Sequence, residues 1–438
     1  RVQIIAAGAR QSTHLIERLE VPVDTFDLLQ RFTEIHNPVK TFWMDREGKK
    51  VFVGFGVVEM FDETTRDLAQ TFQAMTSVLE RSAPEIRFYG GINFDPASTT
   101  SGEVFAPWQF FLPRVEISAC AGKTILACHI HFDPKRKADE ITATLQCLNE
   151  LDIAPQTSSP EIPRVISRNE LPDFKTWRKM VTTALDAIST GKIRKVVLAR
   201  KVQITCDVPV LPLAILSRLR SARLNAFLFA LQFRPDELLF GASPEQLFLR
   251  SNRHIFSEAI AGTWLAKDIQ PHSTNKQSTK EMDEHALVAQ MIRHELLALC
   301  RHVDQDKQPS TIATTAGAHW VTQFQGKLKE GMADYDVIAR LHPTPATAGT
   351  PTLEAKKLIR ELEPSDRGWF AGLAGYVSRA ETNFLVIIRS GRMYGRTIHL
   401  AAGAGIVAGS SPESEWQETE LKLKSIEHIF EHETQPGA

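Results

Sequence analysis

Two segments late in the chain carry acidic residues at a spacing that suits a hard cation. In KEMDEHALVAQMIRHELLAL (280–299), Glu281 and Glu284 stand three apart, and in SPESEWQETELKLKSI (411–426), Glu415 and Glu418 repeat that spacing. Residues three apart share a helix face, and Val288 and Met291 continue the first face inward. A pair of such helices supplies oxygen donors of the kind Mg²⁺ takes: one or two protein carboxylates, with positions left for water and an anionic substrate. The plain alternative is two solvated helix faces, and Glu418 with Lys422 also fits an ordinary i,i+4 surface pair. His285 reads as a hydrogen-bonding or surface histidine rather than a ligand.

Lys195 opens the strand-like run KVVLARK, where period two sets Val197 and Ala199 beside it. Such a lysine is either a strand-edge side chain reaching for water or a buried amine able to act as a base. Glu245 lies in GASPEQLF, either a turn opener or a buried acid, and Arg389 ends the apolar run FLVIIR as edge solvation or an anion clamp. The run Gly403-Ala404-Gly405-Ile406-Val407-Ala408-Gly409-Ser410-Ser411-Pro412 leads into the second acidic segment. It reads as a structural turn, with Ser410 or Ser411 capping the helix, Ser410 and Glu413 forming a capping box and Pro412 in the first turn. Glycines there also let a ligand approach the backbone near a helix N-terminus. Thr190-Gly191-Lys192 is followed by Ile, so no phosphate-binding loop is present.

The elements that must carry these residues alternate between two periodicities. Phe42–Asp45 and Lys50–Phe55 flank the turn Arg46-Glu47-Gly48-Lys49 as a hairpin. Leu68, Phe72, Met75 and Leu79 mark one helix, and Phe174, Trp177, Val181, Ala184 and Ile188 another, ended by Gly191. Strands are expected at 87–94, 115–132 (broken at Ala121-Gly122), 195–204, 226–233, 238–240, 247–249, 254–258, 372–377, 383–389 and 397–402, and long helices at 280–299 and 412–431. Tight turns between consecutive strands imply antiparallel pairing, so the fold class is α+β, helices packed outside large antiparallel sheets. The Pro- and Ser-rich stretch 152–163 is a loop or a linker.

The 438 residues carry 51 Lys plus Arg against 52 Asp plus Glu, a balance that points away from nucleic acid and anionic membranes. Apolar runs such as Ala226–Leu231 are far too short to span a bilayer, and no N-terminal stretch reads as a secretory signal. Five scattered cysteines without a zinc-like spacing read as free thiols of a reducing cytoplasm.

Taken together, KVVLAR, FGASPEQL, EAIAGT, EMDEHALV, HPTPATAG, FLVIIRSG and GAGIVAGSSPESEWQETELKLK resemble the chorismate-utilising enzymes, and among them the isochorismate synthases. The match runs from about Thr190 to Phe430 and continues more faintly through GGINFDP and FFLPRVE. The resemblance implies one large α+β domain over 1–438, with a less characteristic part to 165 and the catalytic core from 166. It makes Lys195 the general base and Glu245 the general acid. Glu284 and Glu418 become ligands of Mg²⁺, with Glu281 and Glu415 supporting them. Arg389, Lys422, Gly403 and Gly405 are implied to hold the substrate carboxylates, and His342 and Thr263 to line the cleft. The implied reaction is water attack at ring C2 of chorismate, a shift of the double bonds and loss of the C4 hydroxyl. Hydroxide leaves poorly and water attacks poorly, which is why an acid and a base are both required.

Two positions separate branches of that family. Anthranilate synthases use ammonia and lack the basic lysine, so Lys195 points to water; aminodeoxychorismate synthases carry a lysine where this chain has Ala261. A salicylate synthase, which goes on to eliminate pyruvate, is the alternative. Phe370 stands where some members have Tyr. The expected partner is the small-molecule substrate alone, with no glutaminase subunit, in a monomer or weak homo-oligomer. The N-terminal motifs and length lean toward menaquinone rather than siderophore synthesis.

Overall fold

The computed structural model describes residues 14–64, 66–97, 106–131, 137–151, 161–223, 225–264, 276–315 and 317–430, side chains at 137, 263–264 and 276–281 excepted. Alternation along single strands explains the layering. In Lys40–Met44, Phe42 and Met44 join an outer apolar core while Trp43 points the other way, into a core shared by two sheets. There Trp43 and Phe52 of one sheet meet Tyr376 of the other edge-on, at 5.2 and 5.4 Å between ring centres. Among the described residues the sheets have twelve and ten strands, and every pairing is antiparallel. Helices cover the outer faces: Leu68–Glu80 and Lys276–Leu299 pack on the ten-stranded sheet, and Phe174–Ser189 and Pro212–Ala222 on the other. This is the α+β arrangement expected from the short turns.

Strands from the first third enter the middle of both sheets. Lys40–Met44 pairs with Phe227–Arg234, and Arg87–Ile92 pairs with Leu373–Ser378. The hairpin at 40–55 and the two helices marked by apolar periodicity form as read, within a few residues. The Pro- and Ser-rich stretch falls mostly at 152–160, outside the described residues. All five cysteines are free thiols. No described helix is long and apolar enough to cross a membrane.

Three local expectations are corrected. The strand expected at 383–389 ends at Val386, and Arg389 turns into left-handed backbone with φ of 49°. The glycine run is a turn only in its second half: Gly403 to Ile406 continue the Thr397–Ile406 strand, because Ala404 and Ile406 have an apolar core to join on one face, and the turn follows at Val407–Ser410, closed by the Ser410 amide on the Val407 carbonyl. The following helix is capped by Ser411, which accepts from the Ser414 amide, whereas the Ser410 hydroxyl accepts from Val407.

A buried carboxylate ties the two sheets. Glu116, on the twelve-stranded sheet, accepts from Arg18 at 2.9 Å and from Arg87 and Tyr89 of the ten-stranded sheet at 2.8 Å each. Burial alone would raise this carboxyl; Arg87 and Arg18 outweigh it and hold its pKa down at about 2. Glu116→Gln is expected to leave Arg87 without its carboxylate and Arg18 with that of Glu20 alone, and to cost about 3 kcal/mol, read as a lower thermal midpoint at neutral pH. Because the native pKa lies below the ordinary value, the wild-type advantage holds above pH 4.5 and is lost as pH falls toward about 2. An unchanged midpoint would remove Glu116 as the tie between the sheets.

Candidate active site

The site grows from one end of the Lys195–Cys206 strand. Its even-numbered residues Val196 and Leu198 enter an outer core, so Lys195 and Val197 face inward, toward the second sheet. Lys195 is fully buried and its Nζ lies 2.7 Å from Glu284 Oε1, on the Lys276–Leu299 helix. The neighbouring strand supplies the room for this pair. A Cβ on Gly405 would sit 2.7 Å from that carboxylate oxygen and 2.9 Å from Lys195 Cε. Gly405 is therefore required by close approach and not by a turn, since its φ is not in the left-handed region.

Glu245 sits on the turn between Glu237–Ser243 and Gln246–Ser251, and this turn is fastened on both sides. Its amide donates to Ser243 Oγ at 3.2 Å, and its carbonyl accepts from the Val386 amide at 3.1 Å. Arg46, from the 40–55 hairpin, donates to the Pro244 carbonyl and pairs with Glu258, whose carboxylate accepts from the Gln246 amide at 2.9 Å. The Glu245 carboxyl is buried and lines the cleft. Burial and then the nearby charge of Glu258 push its pKa up to about 8, against the opposing pull of Lys195, Lys422 and Arg389. It is a protonated acid at neutral pH.

Cations and carboxylates alternate along the rest of the cleft. Lys422 Nζ donates to Glu418 Oε1 at 2.6 Å and to the Gly403 carbonyl at 2.9 Å, so the i,i+4 pair forms, facing inward. Arg389 is buried and lines the cleft, which excludes strand-edge solvation, and its Nε has no hydrogen-bond acceptor. Burial lowers its pKa to about 10, opposed by Glu418 and Glu245. Its carbonyl accepts from Ala242, and Ala371, facing the same cleft, is also left-handed at φ 62°. Two non-glycine residues in that region at one cleft cost on the order of 1 kcal/mol each, so the surrounding packing must impose them. The loop that carries Ala371 is pinned by Arg367, which donates to the carbonyls of Val197 at 2.6 Å and Thr347 at 2.7 Å.

The structure thus brings Glu245, Glu284, Glu418, Arg389, Lys422 and Gly403 around one cleft, while Lys195 and Gly405 are not among its lining residues and touch it through Glu284. Glu415 is buried on the Pro412–Glu427 helix and is not among the cleft-lining residues. The side chains of Glu281 and Thr263 lie outside the described residues; the backbone of Thr263 pairs with His319. His342 is not among the lining residues, and its Nε2 lies 3.3 Å from the Asn93 carbonyl. Ala261 and Phe370, the two positions that distinguish family branches, both line the cleft. Sequence reading passed over Arg46, Glu258 and His319. His319 lines the cleft as a neutral imidazole, its pKa pushed down to about 3 by burial and then by Arg389 and Lys422. Its place in the strand Gly317–Leu328 carries no motif, and Arg46 meets Glu258 across 212 positions of sequence.

A family model described as chorismate binding enzyme matches residues 3–431. Isochorismate synthase 2 of Arabidopsis thaliana, a chloroplastic protein, is 31% identical over 93% of this chain and 74% of its own length. The isochorismate synthase MenF of Bacillus subtilis is 29% identical over 88% of this chain and 86% of its own. Among solved structures, the menaquinone-specific isochorismate synthase of Escherichia coli superposes with a TM-score of 0.81 and 25% identity, covering 98% of this chain and 99% of that one. Anthranilate synthase component I of Streptococcus pneumoniae shares the fold, with a TM-score of 0.69, 19% identity and coverage of 97% and 96%.

The raised pKa of Glu245 has a consequence for stability. Between the ordinary 4.5 and about 8 the native state holds a proton that the unfolded chain has released, so stability falls as pH rises through that window. Glu245→Gln is expected to flatten this fall, measured as thermal midpoint against pH. Parallel curves for wild type and variant would mean that Glu245 is not held protonated.

Proposed function

The chain belongs to the chorismate binding enzymes, and on that premise we propose that it is an isochorismate synthase, interconverting chorismate and isochorismate. The observation that carries this reading is a buried, protonated glutamate lining the cleft and a buried lysine bonded to Glu284, which lines the same cleft. Lys195 takes a proton from the water that attacks ring C2. The double bonds shift, and Glu245 gives its proton to the C4 hydroxyl, which leaves as water. One water enters and one departs, so the reaction is an isomerisation. Arg389, with its open Nε, and Lys422 hold the substrate carboxylates, compensating the loss of water around a dianion.

Glu284 and Glu418 fit a hard divalent cation such as Mg²⁺ in donor type and number, because two carboxylates at one cleft are the share that ion usually takes from protein. Among the described residues no larger group of His, Cys, Asp and Glu converges on a metal site. Bound there, Mg²⁺ would withdraw charge from the ring carboxylate and fix the ring. The base must be the neutral amine. The 2.7 Å pairing of Lys195 with Glu284 is the arrangement of an ammonium, so turnover requires Glu284 to be engaged elsewhere.

Incubation with chorismate and Mg²⁺, followed by chromatography, is expected to give the same chorismate–isochorismate mixture from either side. Chelation should abolish turnover and Mg²⁺ restore it; full activity after exhaustive chelation would end the metal assignment. Lys195→Ala should fall by about 10²–10⁴-fold in rate. Near-normal turnover of that variant would overturn its role as base. Stoichiometric pyruvate and salicylate would make the protein a salicylate synthase.

A further inference from the structure

Beside the cleft lies a second cavity, of about 500 Å³ against about 90 Å³ for the cleft itself. Strand register builds its floor. Leu239, Arg392, His399, Gln203 and Asn169 are successive partners across five strands of the twelve-stranded sheet, so their side chains rise from one face. Two residues along, Ala401, Lys201 and Leu171 form the next row. This is the inner face that carries Val197 and Gly403 into the cleft, continued toward the other end of the strands.

The floor is cationic and the walls are apolar. Lys201, Arg392 and His399 stand together; burial, then Arg392 and Lys201, lower the proton affinity of the histidine. Arg392 Nε lies 3.3 Å from Glu237 Oε1, an ion pair at the edge of the floor. Glu170, at the rim, is already engaged by Arg168 and Arg200. Trp369 and Phe370 supply aromatic surface, with Leu171 and Leu239 on the floor. The loop bearing those rings also closes the cleft: Arg367, Phe370 and Ala401 line both spaces, and Lys201 donates to the Asp366 carbonyl in that loop.

We propose that this cavity is a second ligand site, for a small cyclic carboxylate, coupled to the cleft through the 363–371 loop. The carboxylate meets Lys201 and Arg392 while its ring lies against Trp369 and Phe370. Occupancy presses on the segment that Arg367 fastens to Val197 and Thr347, so a bound ligand changes turnover without sharing the residues that hold the substrate.

The test uses the full chain with benzoate and benzene-1,2-dicarboxylate as probes, read by saturation-transfer NMR and calorimetric titration, neither of which needs turnover. Saturable binding is expected, weakened by salt because the charges are partly exposed. Combined Lys201→Gln and Arg392→Gln should weaken it at least about tenfold. Lys201→Glu, a single change at a half-exposed position, should do the same and guards against misfolding of the double variant. Arg389→Gln, in the cleft, should leave probe affinity unchanged. No saturable binding at about millimolar probe overturns the proposal. So does binding lost in Arg389→Gln but kept in the Lys201 and Arg392 variants, which would place the probes in the cleft.

Discussion

An amine buried without a counter-charge is costly, and the contact of buried Lys195 with Glu284 is what several parts of this molecule are arranged to make. An isolated charge in an apolar interior costs many kcal/mol, and pairing offsets this only when the geometry is close. The partner, Glu284, is brought by a helix packed on the ten-stranded sheet, while Lys195 belongs to the twelve-stranded one. The pair therefore forms only when both sheets and that helix have assembled. Gly405 makes the space for it, and the Glu116 cluster holds the two sheets in register farther along.

The same interior sets the opposite condition on Glu245. Its backbone is held firmly, by Ser243, Val386 and the Arg46–Glu258 pair, while burial and Glu258 keep its carboxyl neutral. Beside one cleft thus stand a lysine matched by a carboxylate and a glutamate kept from ionising. Paired with Glu284, Lys195 keeps its proton as Glu245 does, so acid–base chemistry at neutral pH requires Glu284 to leave Lys195. Arg46 extends this logic into the first third of the chain, since the 40–55 hairpin reaches the turn that carries the acid.

How much of this was legible in the sequence depends on whether local period or distant register decides the feature. Period two placed Lys195 on a strand, and helical spacing placed Glu284 and Glu418 on helices, because those signals are local. The glycine run read as a turn because its composition is that of one; the need for Gly405 appears only when Glu284, 121 positions earlier, packs over it. Arg389 read as a strand end, yet left-handed backbone is imposed by the packing around it and leaves no mark in FLVIIR. The row from Leu239 to Asn169 joins five strands and has no sequence signature at all.

The central claim is that a buried, protonated Glu245 serves as the acid of the reaction. Its most direct test is kcat/KM for chorismate against pH at saturating Mg²⁺. With the carboxyl held up at about 8, the account predicts a rate that falls as pH rises through that value, since only the protonated form can give a proton to the departing hydroxyl. A rate that stays level through pH 8, with its carboxylate-dependent fall near the ordinary 4.5, would contradict it.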